Sequence, residues 1–105
     1  MANKTRQMLK DRALGATQRA IIAHLAEQGG IDTFMEIVRA LGRERRSSSR
    51  VRDALTRLRE RGIVKLSSDD LTEREKALVR SIRWWDKRSY VAWILADEYA
   101  SVNVA

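Results

Sequence analysis

No proline interrupts the 105 residues of this chain, and only five glycines divide it. Proline breaks helix interiors and glycine favours helix ends, so the stretches between Gly15, Gly29-Gly30, Gly42 and Gly62 are free to be helical. The expectation is an α-rich fold. At this length the chain holds one domain with one modest core. Hydrophobic residues make up 44% and charged residues 33%, the balance of a folded rather than a disordered chain.

Apolar spacing places the elements. Residues 16–28 read as a helix with Ile21, Ile22, Leu25 and Ala26 on one side, Thr17 as N-cap and Gly29-Gly30 as the stop. His24 is the only histidine, and with no partner ligands it reads as a surface or half-buried helix residue rather than a metal ligand. Asp32 caps a second helix over 33–41, with Phe34, Ile37, Val38 and Leu41 as its stripe and Gly42 at its end. A polar loop follows. One of Ser47, Ser48 and Ser49 then caps a third helix over about 49–61, in which Val51, Ala54, Leu55 and Leu58 recur at helical spacing.

The remainder is mixed. Residues 63–66 are short and β-branched and predict a strand, and 67–70 predict a turn. Thr72 and Glu75 form a capping box that opens a fourth helix over about 73–86. Residues 90–95 have strand composition and can pair with 63–66. Two readings stay open here: a hairpin within 82–95 turning at 86–89, or one or two helices over 73–100. The fold class is therefore mainly α with a small β component.

Charge is unevenly placed. The net charge is +7, divided as +3 in residues 1–30, +4 in 31–62 and zero in 63–105. The last part instead holds five of the six aromatics. This split suggests a polyanion-binding part followed by a packing part. The third helix sharpens it. Opposite its apolar stripe lie Ser49, Asp53, Thr56 and Glu60, bordered by Arg52 and Arg59 on one edge and Arg50 and Arg57 on the other. Short polar groups permit close approach to a major groove, while guanidinium groups reach bases or phosphates. Asp53 can accept from a cytosine amino group or orient a neighbouring arginine, and Glu60 can pair with Arg57 or Arg61. A salt-bridged, merely solvated helix is the competing reading.

The order of three helices and then a strand, with the third helix basic outside, resembles the winged helix-turn-helix superfamily. Residues 33–42 look like its second helix. Residues 51–64 look like its recognition helix running into the first wing strand. The resemblance covers about residues 15–66 and does not select a subfamily. It implies a three-helix core, small strands and a DNA-binding habit with the third helix in the major groove. Two features differ: the turn before the third helix is longer than usual by roughly three residues, and a capped helix begins where a second wing strand is expected.

The expected organisation is an N-terminal arm or short helix over 1–14 and a winged helix-turn-helix domain over 15–105, with its C-terminal part serving packing or dimerisation. The expected function is sequence-specific binding of double-stranded DNA by a small transcriptional regulator. DNA binding in plasmid or phage replication, partition or packaging is an alternative, and a protein–protein interaction module is an alternative of another class. Groove contacts are expected from Ser48, Ser49, Arg50, Arg52, Asp53, Thr56 and Arg57. Arg43, Arg45, Arg46 and Arg59 are expected on phosphates, with Ser47 at the positive helix N-terminus.

Other chemistry is weaker. The acidic run Asp69, Asp70, Glu73, Glu75 has no second carboxylate or histidine cluster beside it, so no enzyme, metal or cofactor is expected. Neither a signal peptide nor a spanning helix is legible, no small-molecule site is evident, and a cytoplasmic, nucleoid-associated place in a prokaryote or virus is the expectation. Leu78, Ile82, Trp84, Trp85 and Trp93 form the candidate packing set. Three tryptophans are difficult to bury in one small core, which suggests a homodimer through 73–100.

Overall fold

The first helix, α1 (Ala16–Glu27), forms where Ile21, Ile22 and Leu25 fall on one side, and all three are fully buried. This is a computed structural model, which describes residues 14–41, 47–82 and 91–99. Gly15, not Thr17, occupies the N-cap of α1; its backbone is extended and no side chain caps the helix. Leu14 decides this entry. Its side chain sits in the core at 2% exposure, and Arg19 donates to its carbonyl at 2.7 Å. Most of the expected arm, residues 1–13, lies outside the described residues.

The end of α1 is a Schellman closure. Gly29 takes φ +82°, the Gly30 amide donates to the Leu25 carbonyl at 2.7 Å, and Gly29 donates to Ala26. The same device ends the third helix. There Gly62 takes φ +76°, Ile63 donates to Leu58 at 3.0 Å, and Gly62 donates to Arg59. In each case the positive φ turns the chain sharply into a strand, a conformation that a side chain at that position would strain.

The first of these strands, β1 (Ile31–Thr33), was not expected from the sequence. Asp32 is a strand residue rather than a helix cap. Its Oδ1 accepts the Thr33 amide at 2.9 Å, and its Oδ2 lies 2.8 Å from His24 Nε2. The capping role passes to Thr33, whose Oγ1 accepts from the Glu36 amide as α2 (Phe34–Leu41) begins. Three residues are too few for a period-two pattern, so pairing with a distant strand, not local propensity, sets this conformation. Ile37 is the fully buried residue of α2, while Phe34, Val38 and Leu41 cover the core partly.

The third helix, α3 (Ser47–Glu60), begins two residues earlier than expected and includes all three serines. The serines therefore occupy its first turn, where unsatisfied amides tolerate them, and do not stand ahead of it as the cap. Its expected stripe holds: Val51, Ala54, Leu55 and Leu58 are buried. β2 (Val64–Leu66) follows, then a turn in which Leu66 and Asp69 bond reciprocally.

α4 (Glu73–Ser81) carries the expected capping box. The Glu75 amide donates to Thr72 Oγ1 at 3.1 Å, and Glu75 Oε1 accepts the Thr72 amide at 2.8 Å. The helix stops well before residue 86, because Ile82 already has extended dihedrals; residues 83–90 lie outside the described residues, including the expected 86–89 turn. β3 (Ala92–Leu95) and a 3₁₀ turn (Asp97–Tyr99) close the described chain, so 73–100 is not continuously helical.

The three strands form one antiparallel sheet in the order β1-β3-β2. Ile94 stands opposite both Ile31 and Lys65, and Trp93 opposite both Asp32 and Leu66. Successive strand residues point to opposite faces. Trp93, Leu95 and Val64 accordingly join the main core with α1, α2 and α3, while Ile31, Ala92 and Ile94 meet Leu71, Leu78, Val79 and Ile82 around α4. The sheet is covered by helices on both faces, which is why β3 is buried along its whole length. Among the described residues the protein is mainly helical, with four α-helices and this small sheet.

Candidate nucleic-acid interface

With its stripe fixed in the core, α3 presents the rest of its circumference outward. Ser49, Arg50, Arg52, Asp53, Thr56, Arg57, Arg59 and Glu60 are all exposed, and Ser48 is half-buried. These are the residues expected at the site. Arg43, Arg45 and Arg46 lie outside the described residues, as does the side chain of Ser47.

The structure separates the arginines by their partners. Among the described residues, no carboxylate forms an ion pair with Arg50, Arg52, Arg57 or Arg61. The expected pairing of Glu60 with Arg57 or Arg61 is not made, nor is one between Asp53 and its neighbouring arginines. Arg52 instead lies over the Phe34 ring at 5.0 Å from its centroid. This cation–π contact orients the guanidinium across α2 without neutralising it. Thr56 donates its hydroxyl proton to the Arg52 carbonyl at 2.9 Å, so its oxygen keeps its lone pairs as an acceptor on an exposed residue. Asp53, Thr56, Arg57 and Glu60 together line a shallow concavity on this face.

Arg59 differs. Its Nε donates to Asp69 Oδ2 at 2.9 Å, and its Nη2 donates to Oδ1 of the same carboxylate at 2.5 Å. The arginine is held to the β2–α4 turn, with its charge offset by the Asp69 carboxylate. Its hydrogen bonds hold the Asp69 carboxyl below the usual carboxylate range, against a partial burial that acts the other way, and the Leu66 amide adds to the same effect. In return the bonded carboxylate raises the pKa of Arg59.

The cations behind this surface are also engaged. Lys65 Nζ donates to Glu75 Oε1 at 2.9 Å, and Glu75 is completely buried. Burial by itself would raise the Glu75 pKa. The Thr72 amide, Lys65 and the Asp97 amide donate to the carboxylate, and the net result lies below its ordinary value. Glu75 thus joins α4, β2 and the 3₁₀ turn. Arg74 pairs with Asp97 at 3.2 Å, and Lys76 with Glu73 at 3.4 Å. Within the acidic run 69–75, Asp69, Glu73 and Glu75 are therefore dispersed over separate basic partners instead of converging. Among the described residues no group of three histidine or acidic side chains could hold a metal ion.

The packing set resolves similarly. Leu78 and Ile82 lie against Ile31, Ala92 and Ile94, and Trp93 lies in the main core at 8% exposure, so all three are used within the chain. Trp84 and Trp85 lie outside the described residues. His24 is half-buried, as expected, but it has a partner, Asp32. Sequence reasoning missed both Asp32 and Asp69 as partners. The capping box pointed to Glu75 but concealed its bond to Lys65. No helix among the described residues is long and apolar enough to cross a membrane.

Comparison with protein-family models, curated proteins and solved structures finds no match for this chain.

Proposed function

We propose that this chain binds double-stranded DNA through the outward face of α3, as a winged helix-turn-helix protein whose wing region carries an inserted helix, and that it serves as a small sequence-specific regulator. One observation carries the reading: Arg50, Arg52 and Arg57 stand exposed, with no ion-pair partner among the described residues, on a helix anchored by its opposite face. A solubilising helix with carboxylates between its arginines gains by pairing them i to i+3 or i+4. Asp53 and Glu60 have the spacing for this and do not pair. The order α-β-α-α-β-α-β and the β1-β3-β2 antiparallel sheet support the superfamily resemblance. Asp53 and the Thr56 oxygen supply acceptors for base amino groups, and Arg50 and Arg57 reach the phosphate walls.

The test is equilibrium binding to duplexes over a salt series, after selection of preferred sites from a random pool. Arg50→Ala and Arg57→Ala should each weaken binding to all sequences alike and lower the slope of log K against log salt by about 1. Asp53→Ala should leave that slope nearly intact and blunt discrimination at one base pair by about 1–3 kcal/mol. A folded wild-type chain that binds no duplex at low salt would overturn the reading.

A further inference from the structure

We propose that Asp69 acts as an internal phosphate surrogate, withholding Arg59 from nucleic acid so that the Arg52–Arg59 border of α3 offers phosphates only Arg52. The proposal rests on the DNA-binding reading above. Two parallel N–H···O bonds from a guanidinium fit a carboxylate and a phosphate alike, so Asp69 fills the Nε–Nη2 edge of Arg59 that a phosphate could use and offsets its charge. Burial does not withhold Arg59, whose side chain remains 46% exposed; the carboxylate does. Asp69 is itself held in place, since its Oδ2 accepts the Leu66 amide at 2.8 Å and its own amide donates to the Leu66 carbonyl at 2.9 Å.

The surroundings act in the same direction. A groove between the C-terminal half of α3 and the β2–α4 turn is lined by Thr56, Arg59, Glu60, Lys65, Asp69 and Asp70, among others. Its two cations are both committed, Arg59 to Asp69 and Lys65 to Glu75. Glu60 and Asp70 have no ion-pair partner among the described residues. A backbone running along the Arg52–Arg59 border of α3 therefore meets a free arginine at Arg52 and, beyond it, carboxylates without an ion-pair partner among the described residues; Arg61, which also has none, lies on the opposite border, one turn after Arg57. A phosphate entering that groove would be repelled, and the contact stays short.

The experiment uses the full chain and a random-sequence duplex, with Kd measured from 50 to 200 mM salt. Three proteins are compared: wild type, Asp69→Asn, and Asp69→Asn combined with Arg59→Ala. Asparagine keeps an acceptor for the Leu66 amide and removes the charge that holds Arg59. The expected result is tighter binding by Asp69→Asn at 50 mM and a slope steeper by about 0.9, that is, about a threefold extra loss of affinity across the series. Removing Arg59 in the same background should return the slope to the wild-type value. If Asp69→Asn does not fold, Asp69→Ser, whose hydroxyl also accepts from the turn amide, takes its place with the same expectation.

Equal slopes for wild type and Asp69→Asn would overturn the proposal while leaving DNA binding intact. A steeper slope that persists in the double variant would also overturn it, because the gain would then come from loss of negative charge and not from Arg59. Absence of duplex binding in all three proteins would overturn the DNA reading and this proposal together.

Discussion

Arg57 and Arg59 lie two residues apart on the same helix, and their situations are opposite. Arg57 is exposed with no ion-pair partner among the described residues, whereas Arg59 is clamped by both oxygens of Asp69. The contrast extends to the regions that they border. The outward face of α3 leaves Arg50, Arg52 and Arg57 with no ion-pair partner among the described residues. The β2–α4 region matches Lys65, Arg74 and Lys76 to Glu75, Asp97 and Glu73. Both regions are rich in charge. In the second, charge holds elements together; in the first, it does not. Net charge alone does not distinguish these regions, but pairing does.

The comparison is broken most severely at Glu75. Replacing it by alanine leaves the Thr72 and Asp97 amides without their acceptor and Lys65 without its counter-charge, all around a fully buried site. Glu75→Ala should cost about 3 kcal/mol, read as a lower urea midpoint. At temperatures where the variant is folded, the DNA salt slope that the proposed function expects should match the wild type. A fall in slope would mean that the two regions are not separate.

Acid removes part of the same contribution. The folded-state pKa values of Glu75 and Asp69 are depressed, so their stabilisation is complete above ordinary values of 4.5 and 3.8 and is lost as pH falls through the lower folded values. Lys65 and Arg59 are raised, so their contribution is complete below their ordinary values, 10.5 for the lysine, and is lost only as pH rises through the folded ones. For these groups, denaturant midpoints should be flat between about pH 5 and 10 and fall on the acid side. Glu75→Gln should have a shallower acid limb than wild type. An unchanged limb would mean that Glu75 does not carry this linkage.

The smallest effect is expected at Thr72. Its hydroxyl accepts from the Glu75 amide and donates to Asp97 Oδ2 at 2.7 Å. Thr72→Ala should cost about 1 kcal/mol in thermal or urea unfolding, and Thr72→Ser should recover most of it. Equal losses in both variants would assign the effect to the threonine methyl group instead of the cap.

Legibility followed the range of each interaction for apolar stripes and helix ends, but not for two of the N-caps, where Gly15 and Thr33 stand in place of the expected Thr17 and Asp32. The α3 stripe, the Gly29 and Gly62 closures and the Thr72–Glu75 box all depend on residues within one or two helical turns, and all were readable. β1 was not, because Ile31 and Asp32 adopt strand geometry through Ile94 and Trp93, far along the chain. The end of α4 was missed because no proline or glycine marks it. At the candidate site, the outward residues of α3 followed from periodicity, but which arginines have partners did not.

The sequence by itself determined which side of α3 is buried, because Val51, Ala54, Leu55 and Leu58 repeat with the helical period and admit one solution. It also determined that arginines border the opposite face. Only the tertiary structure decided which of those arginines remain available. Arg59 meets Asp69 because the Gly62 closure turns the chain into β2 and brings the following turn back beside the end of α3. Lys65 meets Glu75 because β2 presents it on the sheet face that α4 covers. An ion pair forms where two side chains meet in space, and that proximity depends on the whole fold.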